Sequence, residues 1–280
     1  MRLFLVRHGE SIDNVAGLYA GSRDSPLTSH GVLQARRLGD HLAARAVPSD
    51  SGPITHIFAS DLKRAAATAQ AVVDAVLVRQ QEAKQNEEAG GQQTPSMVLV
   101  AELRERHFGS REGLKFGSAT ATGAVGSGVA EPPETRAEME VRAERFIDAY
   151  LVPLLLGCRE DMCRCVVVVA HGILLNVLLG CLLARFGPRG GERPDGYMAS
   201  WSNTGYLEAK VRWESGEAAV SGKTTGRPEH GRIRLDVLAV NRVDHLQGLK
   251  KTRGGIGSAQ FDSKQRTVDS FFKPRPKSGD

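Results

Sequence analysis

Residues 166–186 read VVVVAHGILLNVLLGCLLARF, and this stretch decides the fold class. It is long and apolar enough to suggest a transmembrane helix. Four consecutive valines favour a buried β-strand instead, Gly172 interrupts the run, and His171 and Asn176 would be costly in lipid. We therefore interpret the stretch as a buried strand over Val166–Ala170, a turn and a buried helix, and expect no membrane association.

The composition of the chain is that of an ordinary globular protein. Of its 280 residues, 41% are apolar and 25% are charged, which excludes wholesale disorder, a collagen-like chain and a mostly membrane-embedded protein. The cysteines are too sparse for a disulfide framework and are interpreted as free thiols in a reducing compartment, not as metal ligands. The apolar run Leu3–Val6 is too short for a signal peptide, so we expect a cytoplasmic or nuclear location, or both.

Further buried strands and helices alternate along the chain on both sides of this stretch. Short apolar runs predict strands over Leu3–Val6, Ile54–Ala59 and Met97–Ala101. Helical spacing of apolar residues predicts a helix capped by Thr28, a second over Asp61–Val78 and a third over Arg136–Leu156. This alternation predicts an α/β fold, a three-layer sandwich with a mostly parallel central sheet.

The domain boundaries follow from composition and charge. Residues 82–95 and 117–131 are predicted to be loop insertions in a domain over residues 1–253, and residues 254–280 a disordered basic tail. The net charge of +5 lies wholly in the C-terminal part, because residues 247–280 hold eight basic and three acidic residues. No direct binding of nucleic acid by the charge-balanced domain is therefore expected.

Charged and histidine side chains follow each predicted strand. Ligands of open α/β sheets bind beyond the carboxyl ends of the strands, so these residues are expected to share one rim. The set consists of Arg7, His8 and Glu10 after the first strand, Arg64 after the second, Arg104, Glu105 and Arg106 after the third, and His171 after the fourth.

The chemistry of this set suggests phosphoryl transfer. Arg7 and Arg64 can each present a planar fork to phosphate oxygens, and a neutral His8 can attack phosphorus. Glu105 can protonate the departing alkoxide, and His171 can donate to the developing charge. Cationic side chains supply the charge neutralisation, so no metal or other cofactor is required.

Four further residues close to this set in sequence are interpreted individually. Gly9 and Gly172 directly follow the histidines and would let the backbone approach a ligand closely. Asn14 is either a turn residue or a contact to the same anion. Glu10 is interpreted as a charge at a helix start, not as a catalyst.

The motifs around these residues resemble the histidine phosphatase superfamily, which has the phosphoglycerate-mutase-like fold. LVRHGES at residues 5–11 matches the family signature, and further blocks follow in the family's order over most of residues 1–210. These blocks are DSPLT at 24–28, SDLKRA at 60–65, LRER at 103–106 with FG at 108–109 and EG at 112–113, and VAHG at 169–172. As a set they are highly specific.

The resemblance implies a role for each matching residue. His8 would be the transient phosphohistidine, Arg7, Arg64 and His171 would complete the phosphate pocket, and Glu105 would donate and accept the proton. The residues expected to bind substrate are Arg7, Asn14, Ala20, Gly21, Arg64, Arg104 and Gly172.

The resemblance also bears on the substrate. Residues 241–249, NRVDHLQGL, look like the C-terminus of the TIGAR-type fructose-bisphosphatase branch, which implies a small phosphorylated metabolite such as a sugar phosphate or bisphosphate. Arg111 stands where the family often has Trp, and Pro132-Pro133-Glu134-Thr135 replaces its Gly-Gly-Glu-Ser segment. These departures concern substrate choice, not the core chemistry. Phosphoglycerate mutases carry paired arginines in the following insertion, but residues 116–131 contain no basic residue, so hydrolysis is favoured and mutase activity is the alternative.

The tail contains a second motif. Gln265, Val268, Phe271 and Phe272 have the spacing of a PCNA-interacting peptide (PIP box), which would place three apolar side chains on one side of a short helical turn. The alternatives are that the phenylalanines anchor the tail on its own domain, or that the motif has no specific role. Basic neighbours also suit nuclear import. A different class of function therefore stays open, a clamp-binding interaction protein with vestigial catalysis.

Overall fold

The computed structural model describes residues 1–46, 52–85, 94–117, 130–157, 164–188, 199–213, 233–252 and 255–262. Within these ranges one sheet has six strands in the order β3-β2-β4-β1-β5-β6. The strands are β1 Arg2–Arg7, β2 Ile54–Ser60, β3 Ser96–Val100, β4 Cys165–Ala170, β5 Tyr206–Trp213 and β6 Ile233–Arg242.

β1, β2, β3 and β4 run parallel to one another, and β5 is antiparallel to both of its neighbours, β1 and β6. β4 lies at the centre, where Arg2–Arg7 of β1 pair in register with Cys165–Ala170. β2 pairs on the other side of β4, and β3 pairs with β2. The carboxyl ends of β1, β2, β3 and β4 consequently lie along one edge of the sheet, as predicted.

Helices cover both faces of this sheet. They are α1 Ile12–Ala16, α2 Ser29–Arg45, α3 Lys63–Gln85, α4 Arg136–Phe146, α5 Val152–Leu156 and α6 Gly172–Phe186. Valines of β4 alternate between the two cores: Val166 and Val168 pack with residues of α4, α5 and α6, whereas Val167 and Val169 pack with residues of α2 and α3. A run of buried valines is therefore the mark of a strand covered on both sides. The three-layer α/β sandwich with a mostly parallel sheet is confirmed.

The helix boundaries confirm some predictions and correct others. Thr28 caps α2, and its hydroxyl accepts a hydrogen bond from the Gly31 N–H at 2.9 Å. The prediction that residues 82–95 form a loop is wrong for residues 82–85, because α3 continues to Gln85. Between α4 and α5, residues Ile147–Leu151 form a π-helical segment. The predicted third helix is therefore one helical stretch whose hydrogen-bond pattern changes at these residues.

The C-terminal segment is more ordered than the sequence predicted. The prediction of disorder from residue 254 is wrong for residues 255–262, which include a short 3₁₀ turn over Ile256–Ser258. The Ser29 N–H donates to the Ala259 carbonyl at 2.9 Å, and Gln260 forms a β-bridge with Thr28. The PIP-like motif at 265–272 and most of the predicted insertion at 117–131 lie outside the described residues. No helix of the described ranges is long and apolar enough to cross a membrane.

Candidate active site

The predicted catalytic side chains meet at the carboxyl edge of the parallel strands. The rings of His8, after β1, and His171, after β4, have centroids 5.0 Å apart. Arg64, in the first turn of α3, donates from Nε to His171 Nδ1 at 3.2 Å. Arg7 and Arg64 both carry charges that act on His8. Four residues from three separate parts of the chain thus form one buried cluster.

His8 is oriented as a nucleophile. Its Nδ1 lies 2.7 Å from the Gly9 carbonyl oxygen, which can only accept, so Nδ1 carries the proton and Nε2 carries the lone pair. Burial, followed by the positive charges of Arg64 and Arg7, holds the pKa of His8 well below 6.5. The imidazole is therefore neutral at neutral pH and keeps its lone pair on Nε2.

Arg64 is fully buried and holds the loop above the site. Its side chain donates from Nη2 to the Gly21 carbonyl at 2.7 Å and from Nη1 to the Arg23 carbonyl at 2.6 Å. Three of its five N–H groups are thus bound to protein, counting the one to His171. The prediction of a planar fork offered wholly to phosphate is therefore corrected, since only two N–H groups of Arg64 remain for a ligand.

His171 and Arg7 each present a donor without a protein partner. The Nδ1 atom of His171 accepts from Arg64, and burial together with the charges of His8 and Arg64 holds the pKa of His171 well below 6.5, so its single proton lies on Nε2. Arg7 donates from Nη1 to the Trp201 carbonyl at 2.6 Å. Among the described residues, His171 Nε2 and Arg7 Nε are buried and have no hydrogen-bond partner. Buried donors of this kind suit the oxygens of an anionic ligand.

Glu105 lies at the N-terminus of α6. Its carboxylate accepts from the backbone N–H groups of Arg106 at 2.9 Å, Ile173 at 3.2 Å and Leu174 at 3.1 Å. Its negative charge acts on Arg7 and Arg64, where it opposes the larger effect of burial, which lowers the pKa of both arginines. Glu105 therefore belongs to the same site as the two histidines.

The other predicted substrate-binding residues lie at the edge of this cluster. Asn14 lies in the first turn of α1 and forms a capping box with the N-cap residue Ser11, whose N–H donates to Asn14 Oδ1 at 3.2 Å. Ala20 and Gly21 form the turn above Arg64, and Gly21 has a φ of +48°, a left-handed conformation that favours glycine. Arg104 instead pairs with Asp61, Nε to Oδ1 at 2.7 Å, and its side chain is 49% exposed. Its guanidinium is thus neutralised outside the buried cluster.

The two predicted close-approach glycines differ. A Cβ on Gly172 would meet only Arg7 Nε, at 3.9 Å, so the backbone there is open toward the site. A Cβ on Gly9 would lie 2.7 Å from the Gly31 carbonyl oxygen of α2. The prediction that Gly9 makes room for a ligand is therefore wrong, because Gly9 makes room for the first turn of α2.

Several residues outside the predicted set of site residues hold the backbone of the nucleophile. Thr68 Oγ1 accepts from the Gly9 N–H at 3.0 Å, and Asn203 donates from Nδ2 to the His8 carbonyl at 3.1 Å. The Thr204 N–H donates to the carbonyls of Arg7, at 3.0 Å, and His8, at 3.2 Å. The available signal was the Asn-Thr-Gly turn at 203–205, which precedes an alternating strand pattern.

Comparisons with known proteins agree with this geometry. The model of the Histidine phosphatase superfamily (branch 1) matches residues 3–216. A "Probable phosphatase" of Schizosaccharomyces pombe is 28% identical over 275 residues, covering 95% of this chain and 78% of that protein. The Adenosylcobalamin/alpha-ribazole phosphatase of Salmonella typhi is 33% identical over 193 residues, covering 66% and 80%.

Two further comparisons concern activity and fold. A "Probable phosphoglycerate mutase GpmB" of Yersinia pestis is 31% identical over 193 residues, covering 65% of this chain and 75% of that protein. The structure of mycobacterial glucosyl-3-phosphoglycerate phosphatase with VO3 superposes with a TM-score of 0.59 at 22% identity, covers 86% of this chain and 98% of that one, and shares the fold. The chain therefore belongs to branch 1 of the histidine phosphatase superfamily and is an enzyme of the histidine-dependent phosphatase class.

Proposed function

We propose that this protein hydrolyses a small phosphorylated metabolite, a sugar phosphate or bisphosphate, through a phosphohistidine on His8. The observation that carries the proposal is the orientation of His8, whose Nδ1 proton is bound by the Gly9 carbonyl so that Nε2 is free to attack. The unpartnered donors on His171 and Arg7 support it, because they suit phosphoryl oxygens.

The first step forms the phosphoenzyme. Nε2 of His8 attacks phosphorus in line with the leaving oxygen, and the N–P bond forms as the P–O bond breaks. Glu105, a carboxylate in the free site, carries a proton in the reacting complex and gives it to the departing alkoxide. His171 Nε2–H, Arg7 and the two remaining N–H groups of Arg64 stabilise the charge on the three phosphoryl oxygens.

The second step returns the enzyme to its starting state. The carboxylate of Glu105 accepts a proton from a water molecule as that water attacks phosphorus. The P–N bond breaks, inorganic phosphate leaves, and His8 regains its neutral imidazole. Glu105 is again protonated, as it was before the first step.

Hydrolysis is preferred over phosphate migration, although both use the same first step. A mutase must hold the phosphoenzyme and its dephosphorylated product together, which requires cationic groups for the second anionic end of the substrate. Residues 116–131 supply none. Mutase activity is the alternative. Because the chain is similar to the probable phosphoglycerate mutase of Yersinia pestis, the experiment includes 3-phosphoglycerate as a substrate.

The test measures phosphate release from a panel of sugar phosphates, bisphosphates and 3-phosphoglycerate. The wild type is expected to release phosphate from at least one sugar ester and to form an acid-labile phosphoenzyme, whereas His8→Ala does neither. Release by His8→Ala at the wild-type rate would refute the proposal. Interconversion of 3- and 2-phosphoglycerate without net release would establish the mutase instead.

We propose further that the C-terminal motif binds a PCNA-type sliding clamp. The spacing of Gln265, Val268, Phe271 and Phe272 supports this, because it ends in two adjacent aromatic residues that would share one side of a short helical turn with Val268. Titration calorimetry of the full-length protein against PCNA is expected to give heat of binding that Phe271→Ala/Phe272→Ala removes without changing phosphate release. No heat with the wild type would contradict clamp binding.

A cytoplasmic or nuclear location, or both, is proposed on the same basis. The basic residues Lys273, Arg275 and Lys277 beside the motif suit an import signal. A fluorescent fusion of the full chain is expected to enter the nucleus, and replacement of the three by alanine to keep it in the cytoplasm. Equal distribution of the two fusions would contradict the import signal.

A further inference from the structure

Arg142, on α4, forms a bidentate ion pair with Glu134. Nε donates to Glu134 Oε1 at 2.6 Å and Nη2 to Oε2 at 2.9 Å. Both side chains are largely buried, with 15% and 16% of their surface exposed. A planar guanidinium bound in this way has a fixed orientation, which a single contact would not give it.

The same guanidinium binds the backbone that carries Glu105. Nη1 donates to the carbonyl of Glu102 at 2.7 Å and to that of Arg104 at 2.6 Å. Nη2 donates to the Glu105 carbonyl at 3.3 Å. Arg142 thus holds the chain on the N-terminal side of the Glu105 carboxylate.

Glu134 holds the chain on the other side. Its Oε2 accepts from the His107 N–H at 3.2 Å, and its N–H donates to the His107 carbonyl at 2.8 Å. Its carbonyl accepts from Arg106 Nε at 2.7 Å. The ion pair is therefore hydrogen-bonded to the backbone of residues 102–107 on both sides of Glu105 in the sequence.

Residues 104–107 of this segment have no regular structure of their own. They lie between the 3₁₀ turns Ala101–Leu103 and Gly109–Arg111, and no strand or helix fixes them. The Glu105 carboxylate nevertheless has to meet the N-terminus of α6, where it accepts from Ile173 and Leu174. Its position depends on the backbone that Arg142 and Glu134 hold.

We propose that Arg142 and Glu134 are positioning residues for proton transfer by Glu105. The proposal rests on the proposed function, in which Glu105 protonates the leaving oxygen. Glu134 is the residue that the Pro132-Pro133-Glu134-Thr135 segment shares with the Gly-Gly-Glu-Ser pattern, so the ion pair does not involve the positions that depart from that pattern.

The test uses three esters that differ in their need for an acid. Benzyl phosphate has an alkoxide leaving group that must be protonated, phenyl phosphate is intermediate, and 4-nitrophenyl phosphate has a leaving group that departs as a stable anion. Displacing a catalytic group by about 1 Å costs on the order of 100-fold, so Arg142→Met is expected to lower kcat/KM for benzyl phosphate about 10- to 100-fold. The loss on 4-nitrophenyl phosphate is expected to stay under about threefold, because the acid contributes little there.

Conservative variants and a matched control accompany this measurement. Arg142→Lys keeps the charge but not the bidentate geometry, and Glu134→Gln keeps a side chain of the same size, so both are expected to give intermediate ratios between the esters. Arg185 is the control: it joins α6 to α4 through Glu144 at 3.1 Å, is 22% exposed, and has no described contact with the Glu105 segment. Arg185→Met is expected to leave the ratio unchanged.

The outcomes separate the two proposals. Glu105→Gln is measured on the same esters, and a loss that does not depend on the leaving group would remove Glu105 as the acid and with it the proposed mechanism. If Glu105→Gln shows the dependence but Arg142→Lys and Glu134→Gln lower all three esters equally, or none, the positioning role is overturned. A shifted ratio in the folded variants supports it.

Discussion

At the scale of the residue, the protonation of His8 decides whether the site can attack phosphorus. Its low pKa has a clear cause, since burial comes first and the charges of Arg64 and Arg7 add to it. Those two arginines would also bind the substrate, so the groups that attract the phosphate are the groups that keep the nucleophile neutral.

The pH profile of activity follows from this environment. Because an unperturbed histidine titrates near 6.5 and the pKa of His8 in the free enzyme lies well below that value, ionisation of His8 is expected to add no acid limb to kcat/KM near pH 6.5. The measurement is kcat/KM, which reports the free enzyme, with the ionisation of the phosphate ester determined separately and divided out. If activity falls on the acid side with a midpoint near pH 6.5 while the protein stays folded, the assignment of a neutral His8 is contradicted.

The unpartnered donor of His171 is expected to act on the charge that develops in the transition state. Losing one such donor costs about 10²- to 10³-fold in kcat, so His171→Ala should lower kcat by that factor with little change in KM. His56 provides the control, because it lies on β2 with its ring bonded to Thr55 and stacked on Phe58. His56→Ala should leave kcat unchanged, and an equal loss in both variants would indicate a general effect on folding.

The identity of the site residues could be predicted from sequence, but the hydrogen bonds among them could not. His8, Glu105 and His171 each follow a strand, and parallel strands bring their carboxyl ends together. Two of the three bound N–H groups of Arg64 donate to carbonyls of the turn at Gly21 and Arg23, so they depend on where that turn lies. The turn is held by Glu112, whose carboxylate accepts from the Ser22 N–H at 2.8 Å. A contact between residues 90 positions apart leaves no local pattern.

At the scale of the element, the buried parallel strands were predictable and the antiparallel ones were missed. β4 is a continuous apolar run because helices cover both of its faces. β5 alternates Leu207, Ala209 and Val211 with charged residues, of which Glu208 pairs with Arg2 at 2.7 Å and with Arg45 at 2.6 Å. Alternation of this kind is the usual pattern of a strand with one polar face, so β5 could have been predicted. The burial of Glu208 on that face could not, because its partners come from β1 and α2.

The turn before β5 links the nucleophile to a second pair of histidines. Thr204 has a φ of +56°, unusual for a residue with a Cβ, and its hydroxyl lies 2.9 Å from His245 Nε2. The ring of His245 lies 5.7 Å from that of His41, and its Nδ1 is buried without a partner among the described residues. The C-terminal segment thus supports the turn that holds the His8 backbone.

His245 is expected to make the fold sensitive to acid. Burial, with a further contribution from His41, lowers its pKa from 6.5 to about 4. Between these values the unfolded chain binds a proton that the folded chain does not, so the free energy of unfolding falls as pH falls, by about 2 kcal/mol at pH 5 from this residue.

Urea unfolding at pH 7.5 and pH 5.0 measures this effect. The wild type should lose more stability than His245→Gln does, and the difference between their losses is the contribution of His245. His8 and His171 have low pKa values for the same reason, so part of the acid sensitivity should remain in the variant. Equal losses in the two proteins would show that His245 is protonated in the folded state.

At the scale of the whole molecule, the net charge does not explain the preference for an anion. The basic excess of +5 lies entirely after residue 246, and the rest of the chain is balanced. The affinity for phosphate has to come from a few convergent donors in a buried site. A broad electrostatic attraction would require a charged domain surface.

The C-terminal boundary of the folded domain is the last point at which structure departs from sequence. Composition placed it at residue 253, because the following residues are small or charged and give no apolar period. The structure extends it to Asp262: the Ser29 N–H donates to the Ala259 carbonyl at 2.9 Å, and Arg36 lies over the ring of Phe261 with 5.9 Å to its centroid. These contacts cover the first turns of α2, which pack on the nucleophile loop.

Two truncations separate the predicted boundary from the observed one. A chain ending at Asp262 should keep the melting temperature and kcat of the full-length protein, because every described contact of the segment is retained. A chain ending at residue 253 loses the Ser29–Ala259 hydrogen bond, the Thr28–Gln260 bridge and the Phe261 contact. At about 1 kcal/mol for each, and about 2–4 °C per kcal/mol in a domain of this size, its melting temperature should fall by roughly 6–12 °C. Scanning calorimetry of the full-length protein and the two truncated chains provides the measurement. Identical melting temperatures of the two truncated chains would show that the folded domain ends at residue 253.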